Sequence, residues 1–230
     1  MIDIISNLEF TPFLISFKLA FTTTVILFFI ALPLAWWLSQ TSSKSKPFIE
    51  ALTALPLVLP PSVLGFYILW ALSQNSLIGA FFEEQFGIKL IFNFTGLVVA
   101  SVFYSLPFMV QPLQGGFESL NKNMLEASYI SGKSPLTTMI RVALPNIKPS
   151  LMTALIITFA HTVGEFGVVL MVGGSIPNET KVASVAIYEM VEIMDYTTAH
   201  VYSAIMVIIS FLVLLGVYMF NGKQNRKFGI

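Results

Sequence analysis

The chain has 230 residues, 56% hydrophobic and 10% charged, with a mean hydropathy of +0.82; soluble domains carry roughly 25% charged residues, so it lacks the polar surface of a dissolved protein. Twelve Lys and Arg balance twelve Asp and Glu, which leaves no basic block for nucleic acid. With no cysteine and two histidines, thiolate metal sites, disulfides, a cysteine nucleophile and a histidine-rich metal or haem centre are excluded.

Residues 1–17 contain no Lys or Arg, and the apolar run after them is too long for a signal h-region. They predict a retained first span. About 20 helical residues cross roughly 30 Å of hydrocarbon, and five segments are apolar enough to do so: residues 13–38, 48–72, 95–111, 151–172 and 201–220. Lys18, in the outer part of span one, is expected to snorkel to the interface. Pro33 reads as an ordinary membrane-helix proline. In span two, Leu55-Pro-Leu-Val-Leu-Pro-Pro-Ser-Val-Leu-Gly65 places Pro56, Pro60 and Pro61 close together. That clustering predicts an interrupted helix whose freed backbone groups, with Ser62, face a cavity.

Ser76 to Gly87 then reads as a short amphipathic helix closed by glycine. Span three is the shortest. After it, the segment 116–148 reads as two short helices outside the membrane. The first covers about 121–130; Gly132 permits the turn that ends it, Ser134 and Pro135 start the second, and Pro145 stops it. Span four carries Glu165, the only carboxylate well inside a span, with His161 one turn earlier and Thr158 and Thr162 near it. On a straight helix Glu165 sits roughly 22 Å from the start of that span. Ala160 and Gly164 form a small-residue face expected to admit a neighbouring helix. Residues 182–194 predict an interfacial or partly re-entrant helix, and span five contains no charge.

Nine of the twelve cations (Lys44, Lys46, Lys122, Lys133, Arg141, Lys148, Lys223, Arg226 and Lys227) fall on one side of this arrangement. By the positive-inside rule that side is cytoplasmic, placing the N-terminus outside and the C-terminus inside. The whole chain, 1–230, reads as one all-α membrane domain.

The spacing Glu126-Ala127-Ser128, Gly132, Val142, Leu144-Pro145 closely resembles the coupling loop of bacterial ABC importer permeases. The family pattern is Glu-Ala-Ala, three residues, Gly, nine residues, Ile, one residue, Leu-Pro. Ser128 and Val142 depart from it conservatively. Leu55-Pro-Leu-Val-Leu-Pro-Pro61, Gly164-Glu165-Phe166-Gly167 and Ile176-Pro-Asn-Glu-Thr180 resemble the molybdate branch of that family.

The resemblance implies a type I importer architecture in the inner membrane. It also implies a homodimer, two cytoplasmic ABC ATPase subunits and an extracytoplasmic molybdate-binding protein. ATP and magnesium would be used by the partner ATPase, and no cofactor is expected in this chain. The substrate implied is molybdate or tungstate, with sulfate or an amino acid as the alternative and a non-ABC transporter or membrane enzyme ranked far below. Sulfate permeases of this family tend to have an additional N-terminal span. No Walker A motif is present: Gly132-Lys133-Ser134 resembles its end, but position 127 is alanine and a helix precedes it.

Pro60, Pro61, Ser62, His161, Thr162, Gly164, Glu165, Phe166 and Gly167 are the candidate pathway or gate residues. For Glu165 two readings stand. Either it lines or braces the pathway near an outer gate, or it bonds freed amides and holds a bent helix. A carboxylate repels an oxyanion, so it is not expected to be the ligand. His161 and Glu165 lack the further ligands a metal would need.

Overall fold

A computed structural model describes residues 9–227, and their regular elements are all helices, with no strand among the described residues. The first helix, α1 (Thr11–Gln40), runs unbroken through Pro33. The helix of span three, α5 (Phe94–Glu118), likewise continues through Pro107 and Pro112. It extends well past the expected end at 111, so the exposed segment begins after Glu118 rather than at 116. These two helices and α8 (Lys148–Val163) pack together around Leu27, Leu38, Met109, Leu113 and Phe117, all essentially inaccessible. Ala31 and Ala35 are fully buried on α1, and such small residues let helix backbones approach in a bilayer.

Two spans are broken. In span two, α2 (Lys46–Ala54) ends in a 3-10 turn, Leu55–Leu57, and α3 (Pro61–Leu72) leaves at 109° to it. The break is the one that the prolines predict. A residue before proline avoids helical geometry, and Pro60 adopts φ −55°, ψ 138° ahead of Pro61 at the first helical position.

The break in span four is unexpected. α8 stops at Val163, residues 164–166 are not helical, and α9 (Gly167–Gly173) follows. Glu165 therefore lies in a turn, and its straight-helix depth does not apply. Among the described residues three helices are long and apolar enough to span by themselves; five result only if two bent pairs are each counted as one span, residues 46–57 with 61–72 and residues 135–146 with 148–163, and the α8–α9 break is not one of these.

The two half-spans α3 and α9 pack on each other through glycine. A Cβ at Gly167 would lie 2.9 Å from Pro61 Cβ, and one at Gly65 would lie 3.0 Å from Met171 Cβ. By contrast, a Cβ at Gly164 would meet only carbonyls of its own helix, at 3.8 Å. Among the described residues no second element approaches Gly164 closely; the glycines that bring the two half-spans together are Gly65 and Gly167.

The remaining elements flank this body. α4 (Leu77–Phe86) is closed as expected by Gly87 at φ +66°, and at its start Ser76 accepts from the Gly79 N–H at 2.9 Å. Residues 182–194 do form a helix, α10 (Ala183–Glu192), held at its start by the Ala183 N–H donating to Ser16 Oγ at 2.9 Å. The Lys18 ammonium sits 4.4 Å from the centre of the Phe94 ring, a cation–π contact in addition to any snorkelling. Last comes α11 (Tyr196–Lys227); the side chains of the tail cations Lys223, Arg226 and Lys227 lie outside the described residues.

Candidate functional sites: an exposed helix pair and a buried polar seam

The exposed pair is α6 (Lys122–Ile130) and α7 (Pro135–Asn146). Asn121 caps α6 by accepting from the Asn123 N–H. The turn between the limbs closes through Gly132 N–H to Tyr129 O (2.9 Å) and Lys133 N–H to Ser128 O (3.2 Å). It requires φ +74° at Gly132, the left-handed conformation that glycine adopts without strain. Ser134 then caps α7, with Pro135 in its first turn.

Contrary to expectation, α7 does not stop before Pro145. Residues Met139–Ala143 form a π turn, in which the Leu144 N–H reaches back five residues to Met139 O. The wide turn accommodates a proline that would clash with the preceding turn of a regular α-helix. Asn146 Nδ2 supplies a donor to Val142 O at 2.7 Å.

Ser128 is buried and its hydroxyl lies 2.9 Å from that of Thr138, joining the two limbs. The departure from alanine at this position is thus used inside the pair. Glu126, Ala127 and Pro145 are exposed, and Leu144 packs toward the core. Between the limbs lies a cleft of about 360 Å³, bordered by Ala127, Ser128, Lys133, Thr137, Arg141 and Val142.

The second site is a seam between α5 and α8. Ser101 Oγ donates to Glu165 Oε2 at 3.0 Å, while Glu165 O accepts from Ser184 Oγ of α10 at 2.6 Å. Glu165 is buried, and Oε1 has no hydrogen-bond partner among the described residues. The carboxylate does not bind the freed amides of a bent helix. It bridges α8–α9 to α5.

One turn away, Thr162 Oγ1 donates to Thr158 O at 2.9 Å, so it accepts from Ser105 Oγ at 3.0 Å. Ser105 must then accept from His161 Nδ1 at 3.2 Å. This relay makes Nδ1 a protonated ring nitrogen of His161. Its ring stacks on Phe108 at 3.8 Å and leans on Tyr104 at 4.8 Å. Below these rings α5 continues with Gln111 and Gly115 at helical spacing, while α8 continues with Ile157 and Thr153; these four are exposed.

Of the candidate pathway residues, Pro61 and Gly167 touch, His161 and Thr162 share a relay, and Glu165 joins neither pair. Phe166 packs on Tyr188 of α10 at 4.9 Å, and Ser62 and Gly164 are exposed. Ser101 and Ser105 were not anticipated. Their spacing of four on an apolar helix was the available signal. Ser184 carried none.

A sequence profile described as "Binding-protein-dependent transport system inner membrane component" matches residues 28–229. The chain is 47% identical over 214 residues to the molybdenum transport system permease protein ModB of Azotobacter vinelandii, covering 93% of this chain and 92% of that protein. It is 30% identical over 220 residues to the probable sulfate transport system permease protein cysT of Chlorella vulgaris, covering 96% and 81% respectively. Among solved structures, a bacterial ABC transporter that imports the acidic polysaccharide alginate superposes with a TM-score of 0.74. That match has 14% identity and covers 92% of this chain and 79% of the other, a likeness of fold.

Proposed function

Because the chain belongs to the binding-protein-dependent transport system inner membrane components, and is a permease subunit of an ABC importer and not an enzyme, we propose that it carries molybdate into the cytoplasm. The observation that carries this reading is 47% identity to a molybdenum permease over nearly the full length of both chains, against 30% to a sulfate permease. Tungstate, of like charge and shape, is the nearest alternative cargo. Two copies of the chain form the pathway. The exposed Gln111 at bilayer depth supports this, since its amide needs a partner or water rather than hydrocarbon, whereas the Thr153 hydroxyl already donates to Pro149 O at 3.0 Å. Lys133 and Arg141 at the cleft, on the cation-rich side, support a cytoplasmic location for the helix pair.

In this reading two ATPase subunits dock on the helix pairs and an extracytoplasmic binding protein delivers the anion. The pair acts as a lever. α7 leads into α8 through an 83° bend, and α8 is a rigid rod of roughly 24 Å whose far end holds His161 and adjoins Glu165. Displacement of the cleft by an ATPase therefore reaches the seam along α8, and reaches the contact between half-spans through the non-helical residues 164–166.

The test is uptake into vesicles by the transporter assembled with its own ATPase and binding protein. Labelled molybdate should accumulate with ATP, and excess sulfate should compete poorly. Comparable sulfate uptake, or molybdate uptake that survives deletion of this chain, would overturn the assignment.

A second measurement addresses the seam. Ser101→Ala removes one hydrogen bond to Glu165 and is expected to lower turnover roughly tenfold, on the scale of a buried hydrogen bond. Glu165→Gln, which keeps an acceptor for Ser101, should fall between this variant and the parent. Apparent affinity should stay almost unchanged in both. A loss confined to affinity would place Glu165 on the anion instead.

A further inference from the structure

A wide apolar opening lies on the membrane-facing side, away from the seam. α11 is anchored by its first half: Tyr202 stacks on Phe13 at 5.4 Å and packs with Ala183 and Ala186 of α10. Packing with that cluster continues to Ile209. Beyond it the helix exposes Phe211, Leu212 and Tyr218. Between this second half and the α1 and α8 helices lies a lateral groove of about 760 Å³. Its walls include Phe21 and Phe28 of α1, Met152 and Phe159 of α8, and Val213 of α11; of the lining residues only Thr24 and Ser210 have polar side chains.

The groove follows one stripe of α8, Met152, Leu155, Ile156, Phe159 and Val163. The eleven rises from Met152 to Val163 span roughly 16 Å, close to the ~15 Å of hydrocarbon in one leaflet. Lys148 lies one turn before Met152 on the same stripe, at the level where headgroups begin. It is exposed, and no ion pair engages it among the described residues.

We infer that this groove holds one acyl chain of an anionic phospholipid whose phosphate is bound by Lys148. A lipid fits where a second copy of the chain does not. Ile157 and His161 lie more than about 120° around α8 from the centre of the groove, so a copy that covers that face of α8 comes no nearer to the groove than its Ala160 edge, beside Thr153. An acyl chain needs no hydrogen bond, which suits the nearly apolar walls. A phosphate supplies the counter-charge that Lys148 lacks. The lipid wedges α11 against the α1–α8 pair and completes packing that the protein leaves unfilled. This inference rests on membrane residence alone and not on the transported substrate.

The experiment is native mass spectrometry on the assembled transporter, stripped of lipid and then given phosphatidylglycerol or phosphatidylethanolamine with matched acyl chains. The parent should retain phosphatidylglycerol preferentially. Lys148→Gln should reduce that retention about fivefold, the effect of one cation near a headgroup, and bring the two lipids level. Ala160→Phe, which fills the groove wall, should reduce retention of both. Should that variant fail to assemble, phosphatidylglycerol carrying a diazirine on its acyl tail provides a readout in the unaltered protein. It should label peptides containing residues 17–29, 152–163 and 210–214. Labelling elsewhere, retention unchanged by Lys148→Gln, or disulfide formation between two copies of a Leu155→Cys variant would overturn the proposal.

Discussion

Gly132→Val is expected to abolish uptake and to reduce co-purification of the ATPase by tenfold or more. The cause is conformational, not steric crowding, because nothing lies within 4 Å of where its Cβ would be built. At φ +74° a β-branched residue is strained, on the scale of about 1–3 kcal/mol. The turn relieves that strain by giving up the bonds from Gly132 N–H to Tyr129 O and from Lys133 N–H to Ser128 O. Ser128 and Thr138 then separate and the cleft between the limbs loses its shape. Gly132→Asn should retain most activity, since asparagine enters the left-handed region with less strain. Both variants should keep their helix content, because the turn is remote from the α1–α5–α8 core. If Gly132→Val co-purifies with the ATPase and sustains transport-linked ATP hydrolysis, the helix pair is not the docking element.

Features of the fold that depend on one residue's own chemistry were legible in the sequence. Ser76 and Gly87 bound α4, Ser134 and Pro135 start α7, and Gly132 turns the pair. Pro56, Pro60 and Pro61 break span two in the expected place. Features that depend on distant partners were not legible. The interruption of span four has no proline to announce it. It accompanies contacts to Pro61 and Ser184, both remote in sequence. Pro145 has a local consequence with two solutions, an end to the helix or a wider turn, and nothing in the sequence selects the second. Glu165 was identifiable as a costly buried carboxylate, but its partner Ser101 lies 64 residues away. The candidate pathway list therefore named one side of the seam and missed the side supplied by α5.

Gly167→Val should separate transport from docking. Its Cβ would lie 2.9 Å from Pro61 Cβ, in a ring with no rotamer by which to move aside. Relief requires α3 to shift off α9, and forced overpacking of this kind costs about 1–3 kcal/mol. Gly65→Val strains the same contact from the other half-span, through Met171 Cβ at 3.0 Å and the Val168 backbone at 3.3 Å. The two changes act on one interface, so their effects should not add. Each variant should lose uptake by tenfold or more, while the ATPase still co-purifies, because the exposed helix pair is untouched. ATP hydrolysis should then run without transport. Gly216→Val is the matched control: a Cβ on α11 has nothing within 4 Å, so uptake should stay near that of the parent. Normal uptake by Gly167→Val would mean that α3 and α9 move apart freely during transport. In that event the gate lies at the Ser101–Glu165 seam and not where the two broken spans meet.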